Sequence, residues 1–147
     1  MARDISSVSC TVLLTVAGVV GPIALTGWSA DDIYDVEDVE AAETKMGLDY
    51  VMSHGDIPYI TKQTFTFMAS SPSIPVFLAW NAANIASVRG GGSSFTGSMV
   101  LVLPSVGLKY NQSGGVLKKF PPIISAKKVL GEQKFSIDWE QVLPVPF

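Results

Sequence analysis

Apolar and polar positions divide the chain into a strand running directly into a helix, with further strands on either side. In residues 61–69, Gln63, Phe65, Phe67 and Ala69 share one face, while Lys62, Thr64, Thr66 and Met68 share the other. That is the period of a half-buried strand. Ser70, Ser71, Pro72 and Ser73 follow, supplying an N-cap serine and a proline for the first helical position. Ile74, Phe77, Leu78, Ala82, Ile85 and Val88 then form one apolar stripe at helical spacing, and Gly90, Gly91 and Gly92 stop the helix. A helix with one apolar stripe needs a surface to lie on, and its sequence neighbours are strands. The pattern therefore predicts one helix packed over a mostly antiparallel sheet.

Upstream, Val8, Cys10, Val12, Leu14 and Val16 alternate with Ser9, Thr11, Leu13 and Thr15, predicting a first strand. A turn over 18–22 leads to a second short strand at 23–28. Residues 33–43 are predicted as one strand on their β-branched and aromatic residues despite their acids, and with a turn at 46–49 they form a long hairpin. Residues 55–58 close that hairpin, and His54, between Ser53 and Gly55, is placed in a turn. Downstream, 89–97 reads as a flexible glycine-serine loop, 98–103 as a strand covered on both faces, and 104–115 as turn and loop. Residues 116–120 start another strand, and 123–130 are expected to pair with 133–142 through Gly131 and Glu132. In the last strand Phe135, Ile137 and Trp139 point inward, and Pro144 and Pro146 end pairing.

At 147 residues and 48% apolar content the chain predicts one domain over 1–147, with one well-buried core. Charged residues make up only 16%, against about 25% in typical soluble domains. Such a chain either buries its surface in partners or sits in a membrane. A membrane span is rejected, because Thr11, Thr15, Gly18, Gly21, Pro22 and Thr26 interrupt the apolar N-terminal stretch. A signal peptide is disfavoured because Arg3 is cancelled by Asp4. The net charge of −3 argues against binding nucleic acid. Seven of the thirteen acids (Asp31, Asp32, Asp35, Glu37, Asp38, Glu40 and Glu43) fall within 31–43, whereas six of the ten bases lie within 109–134. The chain is electrically polar along its length.

Catalytic chemistry finds little support. Cys10 is the single cysteine and His54 the single histidine, so neither a thiolate cluster nor a histidine-metal site can form without a rare coincidence. Residues 89–97 lack the lysine of a phosphate loop. The acids at 35, 37, 38 and 40 lack the glycine and bidentate glutamate offsets of a calcium loop. Trp28, Trp80 and Trp139 could stack a ligand, but core or subunit contact suits them better. No cofactor and no metal is expected, and the chain is expected not to be an enzyme.

Taken in order, the elements resemble the tail tube proteins of contractile-tailed bacteriophages, a family similar to the tube proteins of type VI secretion. The resemblance runs over residues 12–142. It is carried by the Gly27-Trp28-Ser29-Ala30-Asp31-Asp32 segment, the acidic strand ending near Gly47-Leu48-Asp49, Thr64-Phe65-Thr66-Phe67, the Ser70-Ser71-Pro72-Ser73 helix start, and Ile137-Asp138-Trp139. It implies an antiparallel β-sandwich or partly closed barrel with one flanking α-helix. It also implies a structural virion protein whose homohexameric rings stack into the hollow tube of a phage tail, alongside tail sheath, baseplate and tail terminator proteins. DNA would pass through without specific binding, and the protein would assemble in the host bacterial cytoplasm.

On that basis Asp35, Glu37 and Glu43 are expected to line the lumen, with Tyr34 and Val36 facing the core and Asp38 and Glu40 needing a rim position or a cationic partner such as Lys127 or Lys128. Two turns are expected between stacked rings: Lys45, Met46, Gly47 and Leu48 at the hairpin tip, and Arg89, Gly90, Gly91 and Gly92 after the helix. Competing expectations are another tail component, such as a tube terminator or baseplate hub protein, and a secreted β-sandwich binding module.

Overall fold

Phe65, Phe67, Phe77, Trp80, Phe135 and Trp139 are all fully buried, and the elements of the fold are arranged to enclose them. The computed structural model describes residues 10–29, 33–124, 126 and 129–146. In chain order the elements are β1 (Thr11–Val16), β2 (Val20–Ala24), β3 (Tyr34–Val36), β4 (Ala42–Met46), β5 (Met52–Asp56), β6 (Thr61–Phe67), α1 (Ile74–Arg89), β7 (Gly97–Leu103), β8 (Leu108–Lys119), β9 (Gln133–Trp139) and β10 (Gln141–Pro144).

Ten antiparallel strands and one helix make a two-layered β-structure that is not a closed barrel. The first layer runs β2-β1-β7-β8, with β10 on the far side of β8; the second runs β8-β9-β6-β3. Strand β8 belongs to both. Its first half pairs with β7 and β10, and Val116, Leu117 and Lys119 pair with β9. The corner lies at Gly114 and Gly115. Gly114 has φ +64, and a Cβ on Gly115 would sit 2.4 Å from the Trp139 ring, so the indole fits against backbone only because no side chain is there.

Alternation explains what fills the interior. Val12, Leu14 and Val16 of β1 and Met99 and Leu101 of β7 meet Phe65 and Phe67 of β6 and Phe135, Ile137 and Trp139 of β9 in one cluster. The inward sets expected for the first, central and last strands are the observed ones, with Val8 outside the described residues. Helix α1 covers one end of the cluster. The Phe77 ring stacks on Phe135 at 4.6 Å and lies 5.5 Å from Phe67, while Trp80 Nε1 donates to the Phe95 carbonyl at 3.0 Å.

The helix differs from expectation in which face it buries. Phe77 and Trp80 are buried and Asn84 and Ser87 half-buried, whereas Leu78, Ile85 and Val88 of the expected stripe are 41%, 42% and 52% exposed. The inward face is polar toward its C-terminus because it serves the returning chain. Asn84 Oδ1 accepts from the Phe95 amide, and Ser87 Oγ donates to the Ser93 carbonyl. Residues 89–97 are thereby tied to the helix. Proline enters the first turn as Pro75, not Pro72, and the serines have another task. Ser71 Oγ donates to the Thr26 carbonyl at 2.6 Å and Ser73 Oγ accepts from the Thr26 amide at 2.8 Å, clamping both backbone polar groups of one residue in the chain before β3.

Three further expectations change. Residues 108–115 are strand, because Tyr110, Gln112 and Gly115 supply an inward-facing series despite their polarity. Residues 123–130 do not form a hairpin with β9; an Ala126–Leu130 bridge is the pairing seen among their described members, and β9 lies between β6 and β8. Pairing also continues through Pro144, opposite Tyr110 in the β8–β10 register, with the Val145 amide bonded to the Lys109 carbonyl.

Because Phe77 fills the space between two other rings, Phe77→Ala should cost about 3–5 kcal/mol in urea unfolding, whereas Leu78→Ala should change stability by less than about 1 kcal/mol. Equal losses from the two variants would reverse the assigned helix faces.

Candidate assembly surfaces

Acids and apolar residues in 33–60 supply the expected functional residues, and the structure divides them among separate elements. The expected single strand over 33–43 is interrupted: β3 ends at Val36, and residues 37–41 carry no strand before β4 begins at Ala42. β3 pairs with β6 as the last strand of the second layer, and Tyr34 and Val36 line a cleft facing the first layer. Asp35 therefore lies on the outer face, opposite Thr64. It shares that face with Lys62 and Lys134 and with Asp138, which pairs with Lys118 at 3.3 Å. Asp35, Glu37, Asp38, Glu40 and Glu43 are all exposed. Asp31, Asp32, Lys127 and Lys128 lie outside the described residues, as does Ala30.

β4 and β5 form a two-stranded ribbon of their own, in register from Ala42–Asp56 to Met46–Met52. All ten of its strand residues are exposed. His54 is in this ribbon, opposite Thr44, and not in a turn. The tip is a tight turn in which the Gly47 amide donates to the Val51 carbonyl and the Val51 amide to Asp49 Oδ1. Tyr50 holds φ +63 there, the one non-glycine positive φ among the described residues. A bulky residue in that conformation costs free energy that glycine or asparagine would avoid. Tyr50 and Leu48 are nevertheless almost fully exposed, with Met46, Val51 and Met52 beside them. A lone two-stranded ribbon is marginally stable in water, and one ending in exposed large apolar side chains calls for a surface to lie on.

The outer face of the first layer is a second such surface. Its cross-strand row runs Ala24, Leu13, Val100, Asn111 and Leu143 over five strands. In β1, β2, β7, β10 and the 108–115 half of β8, Lys109 is the one charged residue. The exposed helix positions Leu78, Ile85 and Val88 add a third apolar area, next to Arg89. Low overall charge is thus concentrated on particular faces, a distribution the composition alone could not show.

Catalytic arrangements do not emerge. Among the described residues no three His, Cys, Asp or Glu side chains come together as metal ligands, and no helix is long and apolar enough to cross a membrane. Trp80 and Trp139 are core, and Trp28 stacks on Phe67 at 4.8 Å. Exposed strand faces, a projecting ribbon and a sheet surface with one charged residue are surfaces suited to contact with other chains. The chain belongs to the family described as "Tail fiber protein gp32", whose model matches residues 3–143. Membership in that family makes it a structural protein of a phage tail, not an enzyme.

No curated protein matches the sequence. Solved structures that share the fold include two from one prophage system. The baseplate of the anti-feeding prophage has a chain 13% identical, with TM-score 0.53, over 99% of this chain and 98% of that one. The tube terminating cap of the anti-feeding prophage has one 9% identical, with TM-score 0.50, over 100% and 95%.

Within the cleft behind β3, burial pushes the Tyr34 phenol up to about 12, reinforced by Cys10 and Tyr110. The folded protein therefore holds this proton more tightly than the unfolded chain, so its contribution to stability is complete below pH 10 and is lost between 10 and about 12. Wild-type protein should lose unfolding free energy more steeply across that window than Tyr34→Phe, read by chemical denaturation at stepped pH. Parallel slopes would place the phenol in open solvent.

Proposed function

We propose that the chain is a ring-forming subunit of the inner tube of a phage tail, six copies to a ring, with rings stacked into a conduit for DNA. The observation that carries this reading is the β4–β5 ribbon, whose exposed strands and apolar tip have no cover within the described chain. A projecting arm on one subunit that docks on the next is a heterologous contact, which closes into rings or continues as a tube. The nearly uncharged outer face of the first layer supplies a second contact suited to close subunit packing. Sheath, baseplate and tail terminator proteins are the expected neighbours, and assembly takes place in the host cytoplasm.

In this arrangement Asp35, Glu37 and Glu43 face the bore, where like charge keeps DNA from adhering. Lys45, Met46, Gly47 and Leu48, with Arg89, Gly90, Gly91 and Gly92, form contacts between rings. A second reading, a tube-end component such as a terminator or baseplate hub protein, draws support from the two fold relatives, which come from a baseplate and a tube terminating cap.

Electron microscopy of the purified protein separates these readings. Long tubes favour the tube subunit and single rings the end component, while a monomer at high concentration and in its natural particle removes both. Leu48→Asp with Tyr50→Asp should abolish assembly and leave the monomer's melting temperature within a few degrees of wild type, since both side chains lie outside the core. Undiminished assembly would free the ribbon tip of any contact role.

Replacing Asp35, Glu37 and Glu43 together by lysine should preserve assembly at low salt and slow or block genome delivery. Normal delivery by such particles, or side chains found on the outer wall of the tube, would refute the lumen assignment.

A further inference from the structure

The cleft between the two layers behind β3 has a volume of about 300 Å³ and contains two buried glutamines. Gln63 and Gln112 are 0% and 4% exposed. Trp139 Nε1, which can only donate, bonds Gln63 at 2.9 Å and so fixes the atom it meets as Oε1. Gln112 bonds the same oxygen at 2.8 Å and must do so with its Nε2. Gln63 Nε2 and Gln112 Oε1 remain, one donor and one acceptor, both buried and without a partner among the described residues. Rotating either amide to rescue its free atom breaks a bond already made, so the deficit is built into the arrangement.

Apart from Thr61 and the phenols of Tyr34 and Tyr110, the rest of the lining is apolar. Leu101, Leu103 and Val142 come from the first layer, Tyr34 and Val36 from β3, and no lining residue carries a carboxylate, ammonium or guanidinium. Val36 is the register partner of Gln63 and the last residue of β3, the end strand of the second layer among the described residues. One water could meet both atoms, but a site of this volume holds several times what a water fills and sits at the lower end of small-ligand pockets.

We infer that this cleft is a binding site for a neutral amide carried on an apolar segment, its carbonyl accepting from Gln63 Nε2 and its N–H donating to Gln112 Oε1. The occupant is a side-chain carboxamide, of asparagine or glutamine, on a neighbouring tail subunit. The inference rests on the assembly reading only for where that amide comes from; the chemistry of the site is testable in the isolated protein.

The probe is isovaleramide, which carries a branched apolar tail on a primary amide, titrated into the full chain while the side-chain amide signals of Gln63 and Gln112 and the Trp139 indole signal are followed by NMR. Saturable shifts of all three are expected, with a dissociation constant of about 1–10 mM. Methyl isovalerate, which can accept but not donate, should bind at least about tenfold more weakly, and Gln112→Leu should reduce isovaleramide to the ester's affinity. Absence of saturation by about 100 mM, equal binding of the ester, or full affinity in Gln112→Leu would each overturn the site. The ester comparison uses wild-type protein and holds even if the variant fails to fold. In an assembled tail, a cleft occupied by ordered water alone would overturn it as well.

Discussion

Phe77 is inserted between Phe67 and Phe135, and the remaining architecture depends on that contact. A two-layered sheet joined through a single shared strand, β8, leaves its ends open; the ring of Phe77 fills one of them, stacking on Phe135 at 4.6 Å. Fully burying an aromatic side chain contributes about 2–3 kcal/mol, more when it meets other rings at favourable angles. The helix is held in place to make that contact. Ser71 and Ser73 clamp Thr26 at its start, Gly90 to Gly92 close its end, and Trp80 bonds the carbonyl of Phe95 as the chain turns toward β7. Trp28 extends the cluster across β6, so the segment leading to β3 is fixed by the same aromatic packing.

Strands with regular alternation were legible from their residues, since β1, β6 and β9 each bury alternate, mostly apolar positions. β8 was not, because its inward positions include Gln112 and Gly115, residues whose value depends on Gln63 and Trp139 from distant strands. The helix face misled for a related reason. Apolar residues surround α1, and Asn84 and Ser87 turn inward only because the backbone of 93–95 needs their side chains, which no local spacing encodes. The acidic stretch was legible as a ribbon, its turn expected at 46–49 and found one residue later, but not as two separate pieces. Val36 and Ala42 belong to different sheets, and the break falls where the chain leaves β6.

Charge illustrates how a composition acquires meaning from placement. A low total could describe a membrane protein, a large assembly, or merely a well-buried core. Here the first layer, taken with the 108–115 half of β8, carries a single lysine in its strands, while lysines and acids alternate across the outer face of the second layer and acids alone supply the charge of residues 35–43. A sheet face with one charged residue can approach another subunit at a small desolvation cost, whereas the charged face and the acidic connection are better left in water. The two layers are therefore suited to different surroundings.

The glutamine pair follows the same logic in reverse. A buried polar atom without a partner typically costs about 1–3 kcal/mol, so two of them weigh on a domain whose total stability is of the order of 5–15 kcal/mol. Leucine at position 112 would remove one and fill similar volume. Trp139, however, must bury its indole against Gly115 at the corner of β8, and its N–H then requires an acceptor, which Gln63 provides. Once Gln63 is present its own N–H₂ faces the cleft, and Gln112 occupies the second lone pair of its oxygen. The corner that joins the two layers thus creates the polar deficit at the open end of the sandwich. Only an occupant of that end can remove the deficit without undoing the corner.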